Sequence, residues 1–168
     1  MPTPCILDNV AAPVVTGVDA VVELMGPNKG LTDIFLSTEN LIFEEGIALG
    51  LPVRIHLENA ILGPSCYIGS STKPVQIDLT TGQSGELHGA SGSLTFNDPF
   101  TVTTLTNTKL VNNTFATPAA SGCGGLFSLF VDPLVNSIIG LPSGEGTNSA
   151  TLVGNLQDGN KKAVKNSE

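Results

Sequence analysis

Few residues in this chain could do acid–base or nucleophilic chemistry. The two imidazoles are His56 and His88, and a serine-type hydrolase would need one of them beside a nucleophile and an orienting acid. His56 falls on the polar side of an alternating segment, and Asp78 falls on the polar side of another. A His–Asp contact across neighbouring strands would orient the ring; the plainer reading is a solvated polar face. Ser91, in Gly89-Ala-Ser91-Gly92, resembles part of a nucleophile turn, but it follows no strand-to-helix elbow and the chain holds no G-x-S-x-G. His88 sits in a glycine-rich stretch and reads as exposed. Glu44 and Glu45 are adjacent, so on an extended chain their carboxylates point to opposite faces and make a poor acid–base pair. No catalytic residue is assigned on these grounds.

The search for ligand sites ends in the same place. Asp98, Asp132 and Asp158 occupy turn-like contexts without the spacing of a calcium loop. The three cysteines form no C-x-x-C, and both histidines are far from Cys66 and Cys123 in sequence, so no metal site is expected. There is no phosphate-binding loop and no dinucleotide fingerprint, and Gly122-Cys-Gly-Gly125 lacks the lysine of a phosphate cradle; no cofactor is expected. Asn112-Asn113-Thr114 is a formal N-glycosylation sequon.

Cysteine offers a different chemistry. Cys66 lies in Gly63-Pro-Ser-Cys66-Tyr-Ile-Gly69 and Cys123 in Ser121-Gly-Cys123-Gly-Gly125. Both are turn contexts, where the backbone can adjust to the geometry of a disulfide. A bridge would close a loop of roughly sixty residues and stabilise the fold by about 4 kcal/mol; two separate buried thiols are the alternative. Cys5 is left over; either its partner lies upstream of Met1 or it is a free thiol in a frayed terminus. The opening residues carry neither the basic nor the apolar region of a signal peptide.

The elements that must position these groups read as strands. Residues 1–15 are proline-rich and read as loop or incomplete strand, and 16–24 as a buried strand. The stretch 31–48 fits either a short helix or two irregular strands. Leu51, Val53, Ile55 and Leu57 alternate with Pro52, Arg54, His56 and Glu58, and Val75, Ile77 and Leu79 alternate with Gln76, Asp78 and Thr80, both with the period of two of a half-buried strand. Leu94 and Phe96 mark another strand. Residues 100–105 and 109–115 read as a hairpin with a tight turn at Asn107-Thr108. Apolar residues at 126, 127, 130, 131, 134, 135 and 138 follow a helical stripe, which Pro133 should kink or split and Gly140 should end. A final strand is expected over 148–156. The prediction is an all-β, mainly antiparallel sandwich or barrel with one short helical insert near 126–139. One domain is expected over 16–156, with a disordered tail over 157–168.

Composition sets the limits on partners. Acids outnumber bases fifteen to seven, for a net charge of −8, and Arg54 is the single arginine. No basic face can be built, so nucleic acid and anionic membrane surfaces are poor partners. No apolar run reaches the ~18 residues of a transmembrane helix. Charged residues make up only 13% of the chain, and Gly, Pro, Thr, Ser and Asn fill the polar positions, as suits short strands joined by turns.

The run from Val53 to Gly69, with Pro74-Val-Gln-Ile-Asp-Leu-Thr-Thr-Gly82, Leu110 to Gly125, 131–143 and Asn148-Ser-Ala-Thr-Leu152, resembles a family of small secreted proteins of actinobacteria. The two cysteine motifs are its most specific parts. The resemblance implies export and supports the Cys66–Cys123 pairing; it implies no catalytic residue. Three functions are weighed on this footing. The first is a non-catalytic exported or cell-envelope protein, structural or binding. The second is a carrier of an apolar small molecule or lipid, with Leu126, Phe127, Phe130, Leu134 and Ile138 as its ligand or lid surface. The third is a hydrolase using His56 or His88. A partner protein or an apolar small molecule suits the first two.

Overall fold

A computed structural model of the chain describes residues 17–25, 34–97 and 101–160. The elements in chain order are β1 (Asp19–Leu24), β2 (Phe35–Leu36), α1 (Thr38–Phe43), β3 (Leu49–Glu58), β4 (Tyr67–Ile68), β5 (Val75–Leu79), β6 (Gln83–Ser84), β7 (Leu87–His88), β8 (Ser93–Phe96), β9 (Val102–Asn112) and β10 (Ala120–Ser121). A 3₁₀ turn (Gly125–Phe127), α2 (Ser128–Ile139) and β11 (Ala150–Gly159) follow. The chain is mostly antiparallel β, as its alternation predicts, and among the described residues its sheets are not closed into a barrel. Two compact units share the described residues: one takes 17–25, Ile34, 51–76 and 115–148, the other 35–50, 77–97, 101–114 and 149–160.

In the first unit β1 pairs with β3 from Asp19↔Glu58 to Leu24↔Val53, β3 with β4 at Ile55↔Ile68 and His56↔Tyr67, and β4 with β10. Successive side chains on β3 point to opposite faces. Val53 and Leu57 are therefore buried, with Ala20, Ile68, Ala120, Leu62, Val75 and Val135, while Arg54 and His56 stand on the other face and are half-exposed. The expectation of a buried strand over 16–24 is corrected. Among the described residues β1 pairs with β3 alone, only Ala20 of its residues is buried, and Val21, Val22 and Leu24 are exposed. A run of β-branched residues suits an edge strand as well as a central one, so composition alone does not place it.

In the second unit, residues 35–48 of the ambiguous stretch contain both a strand and a helix. Ser37 caps α1, its Oγ accepting from the Asn40 N–H at 3.2 Å. The buried Thr81 hydroxyl lies 3.1 Å from the Asn40 carbonyl and 3.0 Å from that of Leu41, closing the other end. Leu41, Ala48, Leu79, Leu105, Leu110 and Val111 form this unit's core. Residues 83–88, the glycine-rich stretch around His88, form the small β6–β7 hairpin.

The hairpin lies elsewhere than predicted. β9 runs unbroken from Val102 to Asn112 between β8 and β11, and the turn falls between β8 and β9. There Asn97 Oδ1 accepts from the N–H groups of Thr101 (2.8 Å) and Val102 (2.6 Å). Asn107, read as a turn residue, has φ 59° inside the strand and donates its N–H to Asn155 Oδ1 at 3.0 Å. It is a β-bulge. Between the pairs Gly154↔Thr108 and Leu156↔Leu105 the β9 strand takes one residue more than β11. The extra residue flips the alternation, so Leu105 is buried on one side of it and Thr108 and Leu110 on the other. β11 continues to Gly159, paired with Val102, three residues past the expected strand end at Leu156.

Pro133 neither splits nor ends α2, which is continuous from Ser128 to Ile139. Proline removes one helical hydrogen bond, the one to the carbonyl of Leu129. Leu129 lies on the open side of the helix, where water can take that carbonyl. Gly140 (φ 71°) ends the helix as predicted, and its N–H and that of Leu141 both donate to the Asn136 carbonyl.

Candidate functional site

Cys66 and Cys123 are bonded to each other, with Cα atoms 4.1 Å apart, and both are fully buried in the first unit. The backbone around the bridge is tightly laced. Leu57 N–H donates to the Cys66 carbonyl at 2.9 Å and Gly124 N–H to the Leu62 carbonyl at 2.6 Å. Gly122 (φ 76°) approaches the Ser65 carbonyl so closely that any Cβ there would collide with it, which explains a glycine next to the cysteine.

The helical segment α2 is tied to this turn by polar side chains. Asp132, read from sequence as a turn residue, lies within α2 and accepts from the backbone N–H groups of Cys123 (2.7 Å) and Gly122 (3.1 Å). One helical turn on, Asn136 accepts from Ala120 N–H at 2.7 Å and donates to the Ala120 carbonyl at 2.9 Å, like a strand partner of β10. Spaced four apart, the two anchors share one helix face with Val135, which is buried. Because that face is held by hydrogen bonds, the apolar side chains elsewhere on the segment are left outside. Leu126 is 99% exposed, Phe127 69%, Leu129 84%, Phe130 78% and Leu134 51%. Ile138 is half-buried. Leu129 falls off the stripe read in the sequence; only the docking through Asp132 and Asn136 reveals which side faces out. Asp132→Ala removes a charge-assisted clamp on two N–H groups and is expected to cost about 2 kcal/mol in urea unfolding. A loss within a few tenths of a kcal/mol would mean the clamp does not hold the helix.

A second cluster lies on the polar face of β3 in the same unit. The guanidinium of Arg54, the single arginine, contacts Glu23 Oε2 through Nη2 (2.6 Å) and Nε (2.7 Å), and its Cζ sits 4.1 Å over the Tyr67 ring. His56 stacks on Tyr67 with centroids 4.4 Å apart, and its Nδ1 lies 3.2 Å from Glu58 Oε1. Its Nε2 is buried and meets no hydrogen-bond partner among the described residues. A general base must reach the proton it takes, and the free nitrogen of this ring is covered.

The second unit contains a recess of about 390 Å³ lined by Glu44, Asp78, Thr80, Gln83, Ser84 and Thr114 among others. Its polar groups largely hold the surrounding turns. Thr80 Oγ1 accepts from Gly82 N–H, Ser84 Oγ from Asn113 N–H, and Gln83 Nε2 donates to the Gly85 carbonyl. Glu44 Oε1 accepts from Ser91 N–H at 2.9 Å. That backbone bond, joined by the Ser91 hydroxyl, keeps the carboxyl below its usual 4.5. A carboxyl depressed on folding contributes stability above its unfolded pKa and loses it as the pH falls through the folded value. The stability gap between wild type and Glu44→Gln is therefore expected at pH 7 and should close as the pH drops below 4.5. An unchanging gap would contradict the bond. Ser91 thus serves Glu44, and His88 is exposed on β7.

Asn112, the acceptor of the sequon, is itself buried and hydrogen-bonded through its amide. No group of three or more His, Cys, Asp or Glu side chains among the described residues could hold a metal ion. Among the same residues no helix is long and apolar enough to cross a membrane. Comparison of the chain with protein-family models, with curated proteins and with solved structures finds no match.

Proposed function

We propose that the chain is an exported, non-catalytic protein of the extracellular space or cell envelope. It works by contact, through the outward apolar side of the 3₁₀ turn and α2. The observation that carries this reading is the buried Cys66–Cys123 bond, whose Cys123 turn is tied to α2 through Asp132. Structural disulfides persist in oxidising compartments and are rare where glutathione and thioredoxin keep thiols reduced. The low charge content and the resemblance of the two cysteine motifs to secreted proteins point the same way. The working surface is assigned because large apolar side chains exposed together, next to a rigid anchor, mark sites of interaction.

Fractionation of cells producing the protein from its own gene tests the reading. The protein is expected in the medium or the envelope fraction, with Cys66 and Cys123 oxidised. Recovery from the reducing cytoplasm alone, with both thiols free, would overturn it.

A further inference from the structure

We infer that the outward side of the 3₁₀ turn and α2 is a self-association surface, occupied by the same surface of a second copy of this chain. The inference rests on the reading of this face as the working surface and names its occupant. Leu126, Phe127, Leu129, Phe130 and Leu134 are all more than half exposed. Together they offer on the order of 700 Å² per chain, so a symmetric pair would bury on the order of 1,400 Å² in total, inside the range of stable interfaces.

Charge narrows the choice of occupant. Between residues 120 and 144 the only charged side chain is Asp132, and it is turned onto the Gly122 and Cys123 N–H groups. The segment itself therefore offers no ion to attract an oppositely charged partner and none to repel a copy of itself, although each chain carries −8 overall. A two-fold interface asks for a patch that is its own complement, and an uncharged apolar helix side meets that condition. Its relief suits helix-on-helix packing. Phe130 and Leu134 form an i, i+4 ridge, and the neighbouring row steps down from Leu129 to Pro133 and Ser137. A helix that lies in a lipid surface usually carries Lys or Arg along its polar side; this stretch has none.

Sedimentation velocity of the intact, oxidised chain from about 1 to 100 μM tests the inference. The expected result is a reversible monomer–dimer equilibrium, with mass rising from 17.3 kDa toward twice that value. Phe130→Glu should raise the dimer dissociation constant on the order of 100-fold, and Leu129→Gln should also weaken the dimer. At a concentration where wild type and variants are all monomeric, neither should lower the Tm, because both side chains are exposed in the monomer. Val153→Glu, an equally exposed site on β11, should leave the dimer intact. A wild type that stays monomeric at the highest concentration overturns the inference, as does a dimer indifferent to Phe130→Glu and Leu129→Gln. If the monomer instead binds neutral phosphatidylcholine vesicles and Phe130→Glu abolishes this, the occupant is lipid and the working surface stands. A monomer that ignores both its own copies and the vesicles removes the working surface as well.

Discussion

Replacing Cys66 and Cys123 together by alanine is expected to lower the stability of the protein by about 4 kcal/mol. The two cysteines are 57 residues apart in sequence. Cross-linking a loop of that length removes much of the conformational freedom of the unfolded chain, and the double variant returns it. For a chain of this size such a loss shifts the Tm by roughly 8–16 °C. Urea unfolding separates this entropic effect from simple packing. In the absence of reductant the gap between wild type and variant should be the full value. In its presence the wild type should fall most of the way to the variant, because two packed thiols retain only the small contacts that alanine also approximates. Equal stability of the two proteins without reductant would mean that the bond contributes nothing to the fold.

The second large effect is expected at Asn112. Its side chain is 2% exposed at the end of β9. The Nδ2 group donates to the Asp78 carbonyl at 2.7 Å, and Oδ1 accepts from the Thr114 N–H at 2.6 Å and its hydroxyl at 3.1 Å. One amide thus serves a neighbouring segment and the chain leaving the strand. Asn112→Ala removes these partners without supplying others, at about 1–3 kcal/mol for each buried polar group left unsatisfied. About 3 kcal/mol in all is expected from urea unfolding. Asn112→Asp keeps the acceptor but sets an oxygen against the Asp78 carbonyl and buries a charge, so it should lose at least as much. A loss below about 1 kcal/mol for the alanine variant would mean that water takes over both roles. Since the amide nitrogen is occupied, the sequon should carry no glycan once the protein has folded.

The strands that were legible in the sequence are those with one dry and one wet face. β3 and β5 announce themselves by the alternation from Leu51 to Leu57 and from Val75 to Leu79, and the structure places both as predicted. The helical stripe and its glycine stop locate α2 in the same way. What the alternation does not carry is any event that shifts its phase. Asn107 favours the left-handed conformation, which serves a tight turn and a β-bulge equally. Only the pairing of β9 with β11 decides between them. The exposure of β1 goes with its having, among the described residues, a partner on one side only, which its own residues do not encode.

The candidate surface was half legible for a related reason. A stripe tells which residues share a face, and the usual assumption turns an apolar face inward. Here two polar residues one turn apart, Asp132 and Asn136, find backbone partners at 120–123 and reverse the expected orientation. That reversal brings Leu129 to the surface beside Leu126 and Phe130. Sequence alone offers the two anchors but not the strand edge that receives them. The histidines illustrate the converse. The alternation sets His56 opposite the buried Val53 and Leu57, but the face is not solvated there: Tyr67 and Glu58 flank the ring and its Nε2 is covered, which only the pairing of β3 with β4 reveals.

Thiol counting by alkylation and intact-mass analysis bears most directly on all of this. In folded protein held without reductant, Cys66 and Cys123 should take up no alkylating reagent, and each should take up one equivalent after reduction and unfolding. Full labelling of both positions on unfolding without any reductant, in material that had folded normally, would contradict the account.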